Sequence, residues 1–287
     1  MQRAGELLAT QAVSSEPRFS RIQTEHKGLT TEDLIALSKA KAERYNASKG
    51  SLTDYDCQLC GNKGNVAKVY YDERYDMVRE GFTECKCMKI RGAIWKMKAS
   101  GLEQAIATQR FENYTVEHEW QEAMKKTAMD YAKDPSGWLF LGGQVGCGKT
   151  HLCTAVCRDL LRAGKAVIYM PWQSEIVRLK ACVMDSDEYT KQINEFKNAE
   201  VLYIDDFFKP VAGQEATAAD VRIAYELINH RYLSKMLTLI SSERNITELA
   251  NIDEAVGSRI YEMSKGHYQS IKRDASRNYR FRGVSEV

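Results

Sequence analysis

Proline and histidine are scarce in this chain, and long apolar runs are missing. Its 287 residues include 4 prolines and 5 histidines, and the histidines show no mutual spacing suited to a shared metal ion. No apolar run approaches the roughly 20 residues that a bilayer-spanning helix needs. The first residues, MQRAGELLATQ, lack the extended apolar core of a signal peptide. We therefore expect a cytoplasmic protein with no membrane partner, whose cysteines are reduced thiols or metal ligands.

An excess of charge of one sign is also missing. Lys and Arg number 41 and Asp and Glu 39, so the formal net charge is +2. This near-balance neither requires nor excludes a nucleic-acid partner. The hydrophobic share of 44% is enough to bury a core, and the length fits two domains.

The most specific motif is a glycine-rich loop that matches G-x-x-x-x-G-K-[ST] at every fixed position. An apolar strand is predicted before it at residues 138–141, and a helix after it from Lys149 to about residue 162. Backbone N–H groups of such a loop surround phosphates, while Lys149 reaches the β- and γ-phosphates and the Thr150 hydroxyl binds Mg²⁺. The predicted ATP-binding residues are Gly143, Gln144, Val145, Gly146, Cys147, Gly148, Lys149, Thr150 and the following His151.

Two further predicted strands end in polar residues. The apolar stretch 201–204 leads into Asp205 and Asp206. In a P-loop protein Asp205 is placed to hold Mg²⁺ and Asp206 to polarise the attacking water. The strand at 237–240 precedes two serines, of which we favour Ser242 over its neighbour as the side chain that senses the γ-phosphate.

Residues 105–282 resemble the AAA+ helicase loaders of the DnaC/DnaI type, with the transposition helper IstB as close kin. The resemblance implies an α/β AAA+ P-loop core with a central parallel sheet, ATP and Mg²⁺ as ligands, and a homo-oligomer when ATP is bound. It makes Arg259 an arginine finger, Ser242 the first sensor, and the segment from Phe111 to Tyr114 a neighbour of the adenine. The matching segments are RFENY at 110–114, GGQVGCGKTHL, VLYIDD, LTLISSERNITEL, GSRIYEM and RNYR at 277–280.

The family often has Asp-Glu where this chain has Asp205-Asp206. Because aspartate is one methylene shorter than glutamate, we expect a slow ATPase that a partner or DNA stimulates. The chain continues only briefly after the last predicted strand, so we expect no carboxyl-terminal lid and assign no second sensor.

Four cysteines lie before the ATPase core in two close pairs, Cys57-x-x-Cys60 and Cys85-x-Cys87. Four thiolates in this arrangement are typical of a structural Zn²⁺ site. A redox pair or unrelated buried thiols are the alternatives. We therefore predict an α-rich amino-terminal domain over residues 1–100, with a zinc module at 57–87, and an ATPase domain over 105–287.

The resulting hypothesis is an ATP-dependent loader that delivers a DnaB-type replicative helicase onto single-stranded DNA, from a phage or prophage. The amino-terminal domain would contact the helicase. Four basic residues are candidates for DNA phosphate contacts: Arg178, Lys180, Lys191 and Lys197. Three alternatives stay open, namely an IstB-like helper that acts with a transposase on duplex DNA, a small-molecule kinase, and a zinc-dependent adaptor that binds ATP without turnover.

Overall fold

The chain consists of two compact units, Met1–Met88 and Lys89–Val287. We describe them from a computed structural model. The described residues are 19–21, 30–72, 74–75, 77–209 and 215–281. The division lies earlier than the predicted boundary near residue 100. Helix Cys87–Met97 spans this division. Within the second unit, Lys96 of that helix forms an ion pair of 2.5 Å with Glu195.

The described residues of the amino-terminal unit form one helix and three strands up to residue 84. These are β1 (Phe19–Arg21), α1 (Thr31–Ala47), β2 (Asn65–Asp72) and β3 (Met77–Glu84), and the antiparallel sheet has the order β1-β3-β2. Helix α1 begins after Thr30, whose side chain accepts a hydrogen bond from the Asp33 N–H. The two longest strands among these residues pair over their whole length, and the α-rich character of residues 1–100 stays a prediction.

Helix α1 is attached to this sheet through Asn46. The Asn46 side chain donates to the Ala67 carbonyl at 3.1 Å and accepts from the Ala67 N–H at 2.9 Å. The Tyr45 ring meets the Phe82 ring edge-on with centroids 4.9 Å apart. The helix therefore satisfies the backbone N–H and carbonyl of Ala67 in β2 while it covers one part of the sheet.

The second unit is an α/β fold in which strands alternate with helices. Five strands form a parallel sheet in the order β5-β6-β7-β4-β8, which confirms the predicted fold class. The elements in chain order are α2 (Cys87–Met97), a π-helical segment (Lys98–Leu102), α3 (Glu103–Thr108), α4 (Glu119–Lys133), β4 (Trp138–Gly143), α5 (Lys149–Arg162), β5 (Val167–Pro171), α6 (Trp172–Ala181), α7 (Ser186–Lys197), β6 (Val201–Asp205), α8 (Ala218–Leu233), β7 (Leu237–Ser241), α9 (Ile246–Ile252), α10 (Glu254–Ser264), β8 (Tyr268–Ile271), and the 3-10 turns Ala275–Arg277 and Tyr279–Phe281.

The central strands β4 and β6 are buried along their full length. Strands covered by helices on both faces are typically continuous apolar runs, as WLFL and VLYI are here. Because the strands are parallel, their carboxyl ends meet at one edge of the sheet. The register pairs Leu141 with Ser241 and Pro171 with Asp205, so the ends of four strands lie together there.

No helix in the described ranges is both long and apolar enough to span a bilayer.

Candidate functional site

The loop between β4 and α5 contains positive φ angles that glycine adopts without strain. Gly143, Gly146 and Gly148 have φ angles of 94°, 71° and 93°. A Cβ on Gly143 would lie 2.0 Å from the Ile271 carbonyl oxygen, and one on Gly146 would lie 1.9 Å from the Asn278 side chain. The loop thus leads into the amino-terminal, electropositive end of α5, an arrangement that binds phosphate.

Lys149 lies inside the loop rather than in solvent. Its side chain is buried, and its ammonium donates to the carbonyls of Gly143 at 3.0 Å and Gln144 at 2.7 Å. These two residues therefore act through their backbone, which positions the lysine. The ammonium is held at the loop where phosphate oxygens would replace or join the carbonyl acceptors.

The Asp205 carboxylate accepts hydrogen bonds from four hydroxyl groups. Thr150 Oγ1 lies 3.1 Å from it, Tyr203 OH 2.6 Å and Tyr169 OH 3.0 Å, and Ser241 is the fourth donor. Burial and the nearby Asp205 charge raise the pKa of both tyrosines, so they remain donors. The Thr150 hydroxyl and the Asp205 carboxylate are the oxygen ligands that Mg²⁺ prefers, and the predicted pair fits that ion.

The next residue, Asp206, has a left-handed backbone with φ 54° and donates its N–H to Ser241 Oγ at 3.0 Å. Its carboxylate pairs with Lys209 at 2.8 Å, and the same ammonium lies 2.9 Å from Glu243. Burial alone lowers the pKa of Lys209, but the hydrogen bonds to Asp206 and Glu243 raise it overall. Sequence reasoning missed Lys209 and Glu243, although each follows the end of a predicted strand.

A cavity of about 330 Å³ lies over the loop. It is lined by the loop residues from Val145 to His151, by Asp206, Lys209 and Glu243, by residues 113–115, and by Tyr279 and Arg280. This arrangement brings together the predicted phosphate loop, the predicted water-polarising carboxylate and the end of the described chain.

The segment expected near the adenine contacts the loop through Tyr114. Tyr114 OH donates to the Cys147 carbonyl at 3.2 Å, and its ring meets the His151 ring edge-on at 5.4 Å. His151 also bonds the Arg110 carbonyl at 2.8 Å. Phe111 is buried and is not among the lining residues, so the cavity wall from this segment is Asn113 and Tyr114 instead.

The structure does not bring Ser242 into the cavity. Its side chain is fully buried and donates to the Phe207 carbonyl at 2.7 Å. The preceding Ser241, which we ranked second, is the serine that contacts Asp205. The sensing role of Ser242 stays a prediction.

Arg259 lies on α10, away from the lining of its own chain's cavity. It donates to the Ala255 carbonyl at 2.9 Å, and its guanidinium lies 5.4 Å from the ring centres of both Tyr225 and Tyr232. A role as an arginine finger would therefore be exercised on another subunit, as the resemblance implies.

In the amino-terminal unit, the four predicted cysteines converge. Their sulfur atoms all lie within 4.8 Å of one another, with 3.7 Å between Cys57 and Cys85 and 3.6 Å between Cys60 and Cys87. Four sulfurs about 2.3 Å from a tetrahedral metal would be about 3.8 Å apart, so the set fits Zn²⁺. Gly61, with φ 54°, forms the turn after the first pair.

Comparison with known proteins decides the family. A family model described as the bacterial DnaA ATPase domain matches residues 107–264, which is more than half of the chain. The chain belongs to this family. It is also 36% identical over 249 residues to the phage-like element PBSX protein XkdC of Bacillus subtilis, which covers 83% of this chain and 90% of that protein.

Within the DnaA ATPase family, the predicted relation to loaders of the DnaC/DnaI type is confirmed. The replicative helicase loader DnaC of Escherichia coli is 27% identical over 165 residues, which cover 56% of this chain and 64% of DnaC. A crystal structure of the DnaC helicase loader aligns over 59% of this chain and 98% of that one, with a TM-score of 0.49 and 18% identity.

Proposed function

We propose that this protein is an ATP-dependent helicase loader in DNA replication, which delivers a DnaB-type replicative helicase onto single-stranded DNA. The observation that carries the ATP dependence is the hydrogen bond of 3.1 Å between Thr150 and Asp205, at a phosphate loop of the DnaA ATPase family. The similarity to DnaC, named a replicative helicase loader, supports the loading role. The similarity to a protein of a phage-like element supports a phage or prophage origin.

In this proposal ATP binds the loop, and Thr150 and Asp205 hold Mg²⁺, which would stabilise charge on the phosphates. Lys149 contacts the β- and γ-phosphates, and Asp206 orients the attacking water. Asp206 is ion-paired with Lys209. A carboxylate held by an ion pair must leave its partner before it can reach a water, which supports slow hydrolysis that a partner or DNA stimulates.

Arg259 supports an ATP-bound homo-oligomer in the cytoplasm. Its guanidinium lies near two tyrosine rings of α8 and does not line the cavity of its own chain, so we assign its charge to the site of a neighbouring copy. Ser242 would act indirectly, because its hydrogen bond to the Phe207 carbonyl links the end of β7 to the residue after Asp206.

The amino-terminal unit is the proposed contact for the helicase, with Zn²⁺ in the cysteine cluster as its structural centre. Leu37 and Tyr75 leave 53% and 67% of their surface in solvent, which is a large share for apolar side chains. Exposed apolar and aromatic side chains are common at protein interfaces.

The four predicted DNA-contacting residues gain no support from their surroundings. Each forms an ion pair with a carboxylate: Arg178 with Glu175, Lys180 with Asp220, Lys191 with Glu188 and Lys197 with Glu226. The single-stranded DNA surface of the proposed loader therefore lacks assigned residues.

The test is co-purification of the full-length protein with the replicative helicase of its host or phage, with and without ATP and Mg²⁺. We expect a stable complex that Leu37→Glu with Tyr75→Ala weakens at least tenfold. Leu233→Ser is the matched control, because Leu233 is equally exposed, at 70%, but lies in the ATPase unit. Absence of a complex in every nucleotide state, together with tight binding of duplex DNA, would contradict the loader and favour the transposition helper.

A second pair of variants separates ATP turnover from ATP binding. Lys149→Ala should abolish nucleotide binding, whereas Asp206→Asn should retain binding and lose hydrolysis. If Asp206→Asn loads helicase as well as the native protein does, ATP acts as a binding signal, and the adaptor without turnover is the better description.

A further inference from the structure

We propose that Lys209 is a γ-phosphate-binding residue that makes this site prefer a nucleoside triphosphate to a diphosphate. The inference deepens the proposed function and rests on it, since it concerns the same ATP site. Neither the loop motif nor the acidic strand motif includes this lysine.

The position of Lys209 places a second ammonium group in the cavity. Lys209 lines it together with Lys149, Thr150 and Asp206. Its Nζ lies 2.8 Å from the Asp206 carboxylate, the group expected to orient water toward the γ-phosphate. A cation this close to Asp206 is within reach of the terminal phosphate, since lysine has a flexible stem and three donors.

Two carboxylates at one end of the cavity favour a cation between them. Asp206 and Glu243 bring two carboxylates to the end of the cavity where β6 and β7 terminate. A γ-phosphate would add further negative charge beside them, because Asp206 is the group expected to orient water toward it. Because Lys209 pairs with both carboxylates, it offsets their repulsion and supplies a donor to the incoming phosphate.

Lys149 contacts the phosphates from the side of the loop, whereas Lys209 lies with Asp206 and Glu243 at the other side of the cavity. The Lys149 ammonium already donates to two carbonyls of the loop, Gly143 and Gln144, and is buried there. The Lys209 side chain leaves 30% of its surface exposed, so it is accessible to a ligand and free to exchange acceptors. The β-phosphate, which the loop and Lys149 surround, depends little on Lys209.

The experiment is equilibrium titration of the full-length protein with a non-hydrolysable ATP analogue and with ADP, both with Mg²⁺. For Lys209→Met we expect affinity for the analogue to fall at least about tenfold, which is about 1.4 kcal/mol, while affinity for ADP changes less than about threefold. Lys209→Arg keeps the charge and should restore most of the preference. Retained ADP binding shows that the variant is folded.

Glu243→Gln should have the opposite effect. It removes one negative charge and one competitor for Lys209, so the analogue should bind more tightly while ADP affinity stays unchanged. Lys180→Met is the matched control, because Lys180 also pairs with an aspartate and is 33% exposed but lies outside the cavity lining. It should leave both affinities unchanged.

Equal losses for the two nucleotides in Lys209→Met, or no change in either, would overturn the role of Lys209. Such results would leave the ATP site itself intact, because the native protein would still bind both nucleotides. If the native protein binds neither nucleotide, the proposed function fails as well, and the two failures are thereby told apart.

Discussion

Replacement of Arg231 by methionine should destabilise the α/β unit more than most single substitutions. Arg231 is fully buried near the end of α8. Its guanidinium donates to Thr238 Oγ1 and to the carbonyls of Phe196 and Ala199, each at 2.9 Å, and to the Leu237 carbonyl at 2.5 Å. Burial lowers the pKa of Arg231 to about 10, so the group is still charged at neutral pH. One side chain thus joins the end of α7 to the starts of β6 and β7.

Methionine would fill much of the volume but leave these carbonyls without their donor. Each unpaired buried acceptor costs about 1–3 kcal/mol. Because water reaches some of them after relaxation, we expect a loss of about 3–5 kcal/mol, the range found when one partner of a buried charged network is removed. For a unit of this size, about 1 kcal/mol shifts Tm by about 2–4 °C. The expected decrease in Tm is therefore about 6–20 °C.

The measurement is urea and thermal unfolding of the full-length protein, followed by circular dichroism. Arg222→Met on the same helix is the matched control, because Arg222 is exposed and should change the unfolding free energy by less than about 0.5 kcal/mol. A loss below about 1 kcal/mol for Arg231→Met would refute the inference that this guanidinium holds the three elements together.

Three further substitutions test the loop, the cysteine cluster and the acid stability. Gly146→Ala should lower nucleotide affinity at least tenfold in a binding titration, because the loop must shift to accept a Cβ at a φ of 71°. The strain of about 1–3 kcal/mol should also lower Tm by about 2–12 °C. Metal analysis of the purified native protein should find about one Zn²⁺ per chain. The Cys57→Ser protein should contain no Zn²⁺, whereas the Cys182→Ser protein, changed outside the cluster, should retain the ion. Burial alone raises the pKa of Asp220, but hydrogen bonds from Lys180 and from the Thr217 backbone lower this pKa overall. The ionised Asp220 therefore stabilises the fold at pH values above its unfolded pKa, and this stabilisation is lost as the pH falls through the folded pKa. Asp220→Asn should therefore flatten the decrease in unfolding free energy below about pH 4.

The phosphate loop, the acidic strand and the parallel sheet were predictable because their signals are local. The loop needs glycines and a lysine at fixed spacing, and the predicted helix from Lys149 to residue 162 has the same bounds in the structure. The cysteine pairs were likewise recognisable by spacing, and their four sulfurs converge. The zinc ion itself stays a prediction.

The rest of the site depends on contacts between distant segments. Asp205 receives hydroxyl groups from Tyr169 and Ser241, which lie on neighbouring strands of the sheet. Sequence position alone could not rank Ser241 against Ser242, because a single residue along a strand reverses the face on which a side chain lies. The ion pairs of Lys209 likewise depend on the path of the chain after β6, for which no motif exists.

The segment after β8 contacts the phosphate loop from outside. Gln144 accepts the Asp274 N–H at 2.9 Å through its side chain and donates its own N–H to the Ile271 carbonyl at 3.0 Å. The Gly146 carbonyl accepts the Tyr279 N–H at 3.0 Å. These contacts order the loop from outside before any phosphate is bound, so less conformational entropy is lost on binding. Since Tyr279 also lines the cavity, the end of the described chain both shapes the phosphate loop and forms part of the wall that a nucleotide would meet.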